Sequence, residues 1–71
     1  MRTGVYRHYK GGYYQLIGVG EHTETGEDLV VYVALDASLP GKRLRVRPLH
    51  GSDGWESEIS PGVPRFQWER E

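Results

Sequence analysis

The run Asp28-Leu29-Val30-Val31-Tyr32-Val33-Ala34-Leu35 constrains the fold more than any other stretch of the chain. Seven apolar residues follow the aspartate without a break, and four of them are β-branched or aromatic. So short and so branched a run predicts a strand rather than a helix. Side chains alternate along a strand, so Val30, Tyr32 and Ala34 share one face and Leu29, Val31, Val33 and Leu35 the other. Both faces are apolar and both need cover. A closed barrel, a two-layer sheet or a subunit interface would supply it. An aspartate at position 31 or 32 is expected to unfold the domain, because it would place an unpaired charge in the core.

With 71 residues there is room for one domain and one small core. Residues 1–71 therefore form a single unit, with 1–3 and 69–71 expected to fray. A chain this short buries only about 60% of the surface its unfolded form exposes. It has no cysteine to staple it, which fits a reducing compartment. Nine Lys/Arg against ten Asp/Glu leave a net charge of −1, and a wholesale nucleic-acid footprint would be strongly basic. No stretch approaches the about 20 apolar residues that span a bilayer, and Arg2 is not followed by an apolar signal core. A soluble cytoplasmic protein that does not engage membranes is the expectation.

Ten glycines and four prolines punctuate the chain into short strands. Residues 4–9 read as a first strand, and Lys10-Gly11-Gly12 as a hairpin turn. Residues 13–20 read as a second strand, with Gly18 and Gly20 marking a bend at a barrel corner. Residues 21–27 form a polar loop in which Thr23 and Thr25 can bond nearby amides. After the central strand and the Pro40-Gly41 turn, residues 42–47 alternate. The pattern predicts Leu44 and Val46 inward, with Arg43, Arg45 and Arg47 outward. Residues 55–59 read as a short strand or turn burying Trp55, Ser57 and Ile59. Phe66 and Trp68 read as one face of a last edge strand. The fold class this predicts is mainly β, a small antiparallel SH3-like barrel or roll of four to five strands with little or no helix. Trp55, Phe66 and Trp68 are the natural cover for the second face of the central strand. A monomer is adequate if they provide it and a homodimer is needed if they do not; the monomer is slightly favoured.

The blocks Tyr6-Arg7-His8-Tyr9-Lys10-Gly11, Leu16-Ile17-Gly18-Val19, His22-Thr23-Glu24-Thr25, Leu29-Val30-Val31-Tyr32, Val46-Arg47-Pro48-Leu49 and Pro64-Arg65-Phe66 fall in one order. In that order the chain resembles a family of short bacterial proteins known as domain of unknown function 1653. The resemblance implies a small β-rich domain of a bacterial cytoplasm and supplies no activity. Two positions depart from the family pattern. Arg45 stands where a large aromatic tends to precede Val-Arg-Pro, and Gly51-Ser52 where an apolar-aromatic pair tends to follow Pro-Leu.

Chemistry-bearing constellations are sparse. His8, His22 and His50 are dispersed without metal-ligand spacing, so no metal and no cofactor is expected. Ser38, Ser52, Ser57 and Ser60 all sit among turn residues, and no nucleophile elbow or phosphate-binding glycine loop occurs. The chain is read as non-enzymatic. Candidate binding residues are Tyr6, Arg7, Tyr9, Tyr13 and Tyr14 around the first hairpin, the stripe Arg43, Arg45 and Arg47, and Trp55. An aromatic-lined groove suits a peptide or protein partner. The arginines beside tyrosines suit single-stranded nucleic acid as the alternative, although arginines on an exposed strand face also serve solubility. At least two of the five tyrosines are expected in the core.

Overall fold

The computed structural model of the chain describes residues 1–71 and contains strands and no helix. The strands are β1 (Gly4–His8), β2 (Tyr13–Glu21), β3 (Asp28–Ala34), β4 (Leu44–Pro48), β5 (Glu58–Ser60), β6 (Val63–Pro64) and β7 (Phe66–Arg70). Five of them make one antiparallel sheet in the order β4-β3-β2-β1-β7, and β5 and β6 make a separate small ribbon. Residues 29–34 of the apolar run form β3 with partners on both edges, as expected, while Leu35 falls beyond the strand end. The expected small antiparallel β fold is present, but the sheet does not close into a barrel: β4 and β7 remain its two edges.

Local chemistry fixes the connections. In the first hairpin His8 N–H donates to Gly12 O and Gly11 N–H donates to His8 O, both at 2.7 Å. In the second, Thr25 Oγ1 accepts from Glu27 N–H at 3.2 Å, the role its hydroxyl suits. The glycines of β2 mark a bulge rather than a barrel corner. Pairing slips between Leu16 and Gly18, so Leu16 faces Tyr32 while Gly18 faces Val31, and Ile17 is the extra residue. Gly4 closes the far side. Its φ of 131° suits glycine alone, and a Cβ there would lie 2.5 Å from Arg70 O on the neighbouring β7.

The core lies on one face of the sheet. Tyr6, Tyr14, Leu16, Val30, Tyr32, Ala34 and Phe66 point into it from the strands, and Trp55 enters from the segment after β4. Leu39, Leu49 and Trp68 pack at its margin. Trp55 stacks on Phe66 with ring centroids 3.7 Å apart and planes 6° from parallel. The edges of Tyr6 and Tyr32 meet it at 5.2 and 5.0 Å. Three of the five tyrosines are therefore core residues. The C-terminal aromatics cover the Val30-Tyr32-Ala34 side of the central strand. Its other side is only half covered: Leu29, Val31 and Val33 are half-buried and Leu35 is exposed.

Two expectations fail in this packing. β4 faces the opposite way from its alternation reading. Tyr32 pairs with Arg45 and Val30 with Arg47, so these arginines share the core side, while Leu44 and Val46 lie opposite, beside Val33 and Val31. The physical reason is position. An inward site on an edge strand lies at the rim of a small core, where an arginine stem covers aromatic surface while its head reaches water. The guanidinium carbons of Arg45 and Arg47 each lie 5.6 Å from a ring centre, those of Tyr14 and Phe66. The second failure concerns residues 55–59. Trp55 is buried, but Ser57 is half-buried and Ile59 exposed. A loop-closing hydrogen bond from Trp55 N–H to Pro48 O and a turn bond from Ser57 N–H to Gly54 O replace strand alternation there. Only Glu58–Ser60 is extended and paired.

Candidate anion-binding cleft

β1 ends where β7 begins, because the two strands pair antiparallel with His8 opposite Phe66. This long-range pairing brings the first hairpin turn against the β5–β6 ribbon. Between them opens a cleft of about 410 Å³, lined by Arg7, His8, Tyr9, Lys10 and Gly11 on one wall and Gly62, Val63, Pro64 and Gln67 on the other. Two permanent cations line it and no carboxylate does. A third cation stands nearby: the Arg65 guanidinium carbon is 5.8 Å from the Tyr9 ring, and the Lys10 ammonium is 5.7 Å from the same ring. Tyr9 itself is exposed.

His8 is the innermost polar group of this wall. Its ring meets Phe66 edge-on at 4.9 Å and Tyr14 at 6.1 Å, and its Nδ1 accepts from Lys10 N–H at 3.2 Å. Burial lowers its pKa, and the charges of Arg47, Arg65 and Lys10 lower it further. Burial first, and the cationic neighbourhood second, thus favour the neutral imidazole.

Arg65 has a structural duty as well. Its side chain is 15% exposed, and it donates from Nε to Ser57 Oγ at 2.9 Å and from Nη2 to Ser52 O at 3.4 Å. Asp53 is its one carboxylate neighbour, at 3.9 Å and exposed. Arg47 donates to Asp53 O at 2.8 Å. Together the two arginines clamp the segment that delivers Trp55. A second hollow of about 310 Å³ lies over Tyr6, Trp55, Pro64 and Phe66, between Arg2 and Glu56. Burial raises the Tyr6 pKa; Arg2 opposes that shift and Glu56 adds to it.

The residues singled out from the sequence divide among several places. Arg7 and Tyr9 line the cleft. Tyr6, Tyr14 and Trp55 are core. Tyr13 pairs with Arg7 and is exposed. The arginines do not form a free outward stripe. Arg43 Nε donates to Ala34 O at 3.2 Å, and Arg45 donates to Lys42 O and Pro40 O at 2.8 and 2.6 Å. Lys10, His8 and Arg65 were missed as binding candidates. For Lys10 and His8 a signal existed, since charged groups beside a glycine turn are displayed at a loop tip. For Arg65 only the pairing of β7 with β1 supplies it.

A family model described as a protein of unknown function, DUF1653, matches residues 4–68. The chain belongs to the DUF1653 family. Among solved structures, the crystal structure of a DUF1653 protein from Bordetella bronchiseptica is similar at 36% identity with a TM-score of 0.85, covering 100% of this chain and 90% of that one. No curated protein matches the chain. The DUF1653 match takes in both walls of the cleft and the Arg65 clamp. Its description carries no activity, so what the cleft does has to come from its chemistry.

Proposed function

We propose that this DUF1653 domain is a non-enzymatic binding module whose cleft takes an extended acidic segment of a protein partner. The observation that carries the reading is the cleft between the first hairpin and the β5–β6 ribbon, which offers Arg7 and Lys10 without a lining carboxylate. Supporting it, the hydroxyls of Ser57 and Ser38 have structural work. Ser57 Oγ donates to Gly54 O at 2.7 Å, and Ser38 Oγ donates to Asp36 at 2.7 Å. Exposed cation–carboxylate contacts contribute about 0.2–1 kcal/mol each, so the affinity rests on several at once and falls with salt. A bacterial cytoplasm is the proposed setting, supported by the cysteine-free sequence and the Bordetella relative.

The test is fluorescence polarisation with a labelled Glu/Asp-rich decapeptide and its Gln/Asn counterpart. Binding of the acidic peptide alone, lost in Arg7→Glu/Lys10→Glu, is the expected result. Equal binding of both peptides, or none at millimolar protein, refutes it. A specific observation favours single-stranded nucleic acid as a second reading: the exposed Tyr9 ring lies between Lys10 and Arg65. A base stacked there would contribute about 1–3 kcal/mol. Oligonucleotide binding that depends on Tyr9 would move the assignment to that ligand.

A further inference from the structure

On the face of the sheet turned away from the core, the half built by β3, β4 and the β2 bulge is itself apolar, while Gln15, Arg7 and Gln67 lie on the half nearer β1 and β7. β3 contributes Leu29, Val31 and Val33, β4 contributes Leu44 and Val46, and Ile17 stands at the β2 bulge. Leu44, Val46 and Ile17 are 63%, 58% and 55% exposed. The register sets Leu44 beside Val33 and Val46 beside Val31, so the patch is continuous across neighbouring strands. An antiparallel sheet with one wet face normally turns polar residues to the water. Here β4 does the reverse, with arginines toward the core and aliphatics outward.

Charge is divided along the same sheet. The β2–β3 hairpin tip, from the last residue of β2 to the first of β3, carries Glu21, Glu24, Glu27 and Asp28 with no Lys or Arg. At the opposite end, the turn after β1 and the loop before β4 carry Lys10, Lys42 and Arg43 against the single acid Asp36. The net charge of −1 conceals this division.

We infer that the outer face is the contact between two copies of this chain, related by a two-fold axis that lies between the sheets and perpendicular to the strands. That operation lays Leu44, Val46 and Ile17 of one copy on the same patch of the other. It also reverses strand direction across the contact, so each acidic hairpin tip lies over the partner's basic end. A two-fold parallel to the strands would instead stack like charges. The patch is therefore self-complementary under one orientation, which is what an isologous interface requires. Three strands about 4.8 Å apart and five residues of about 3.3 Å each give a projected apolar centre of roughly 200–250 Å². Stable interfaces bury about 800 Å² per partner, so the charged ends must supply the rim, and association weakens with salt. The inference rests on the outer face rather than on the cleft, with Lys10 the one residue both readings use.

Sedimentation equilibrium from micromolar to millimolar protein at low salt tests it. The expected result is a doubling of mass across the series, abolished in Leu44→Lys/Val46→Lys. Both positions are exposed, so a retained, well-dispersed amide spectrum shows that the variant still folds. Lys42→Glu/Arg43→Glu should weaken association about tenfold or more, as rim attractions become repulsions, and adding Glu24→Lys/Glu27→Lys should restore it. A wild-type mass that stays single at millimolar concentration overturns the proposal. So does a lysine variant that dimerises like wild type, or a charge reversal that its counterpart does not rescue.

Discussion

Replacing Trp55 by alanine tests the central claim about the core, that one side chain from an irregular segment seals it. Trp55 is 3% exposed and lies flat on Phe66 at 3.7 Å, with Tyr6 and Tyr32 edge-on. Truncating a buried aromatic costs about 3–5 kcal/mol, through lost transfer energy and the cavity left behind. At about 0.05–0.15 kcal/mol per residue, a domain of this length has roughly 4–11 kcal/mol in total. Lacking disulfides, it belongs toward the lower end of that range. Trp55→Ala should therefore remove most of the stability, lowering the melting temperature by well over 10 °C at about 4–8 °C per kcal/mol. Trp68→Ala is the control. Trp68 is half-buried, with Nε1 donating to Thr3 O at 3.1 Å and the Arg2 guanidinium 3.4 Å from its ring. Its loss should cost about 1–2 kcal/mol. Thermal unfolding by circular dichroism and urea titration would rank the two. A Trp55→Ala domain that unfolds cooperatively with a loss below about 1 kcal/mol, or no larger than that of Trp68→Ala, refutes the sealing role.

Arg65→Ala should lose about 1–3 kcal/mol, because it strips Ser57 and the segment around Asp53 of their shared donor. Arg65→Lys should recover only part, since one ammonium cannot reproduce the guanidinium fork; equal urea midpoints for Arg65→Ala and wild type would contradict this. Acidification should destabilise the domain through His8. Its folded pKa lies below the unfolded value of about 6.5, so the unfolded chain takes up a proton first as pH falls through that value toward the folded pKa. The difference between the urea midpoints of wild type and His8→Gln should hold constant above about pH 7.5 and shift against wild type as pH falls below 6.5, and a difference that does not change with pH would exclude the effect. Gly54→Ala places a Cβ 2.5 Å from His50 O and should destabilise measurably, whereas Gly18→Ala meets nothing within 4 Å and should stay within about 1 kcal/mol of wild type. Thermal scans that rank them the other way would contradict the backbone packing around Gly54. Tyr32→Asp should unfold the chain, while Val31→Asp, on the half-open face, should leave a dispersed amide spectrum.

Much of the architecture was legible in residue order. The unbroken apolar run predicted the central strand, and the glycine pair at 11–12 and the polar segment after β2 predicted the connections on either side of β2. The same blocks carried the family. Where alternation alone was asked to choose a face, it failed at β4. A period of two separates Leu44 and Val46 from Arg45 and Arg47 without saying which pair is inward. Pairing of Tyr32 with Arg45 decided that, and with it the exposed aliphatic face.

The candidate cleft shows the same division more sharply. Its cations are written in the sequence, but Lys10 and Arg65 stand 55 positions apart and the net charge of −1 hides their neighbourhood. Sequence by itself determined the five strands of the main sheet, the turns of its first hairpins and the aromatic stock of the core, but not the β5–β6 ribbon. Only the tertiary structure decided which aromatics were consumed as core, which arginines were engaged by backbone carbonyls, and which cations were left around a common opening. The reason is that local periodicity sets how a segment presents its two faces. What covers a face depends on pairings between residues distant in the chain, such as His8 with Phe66.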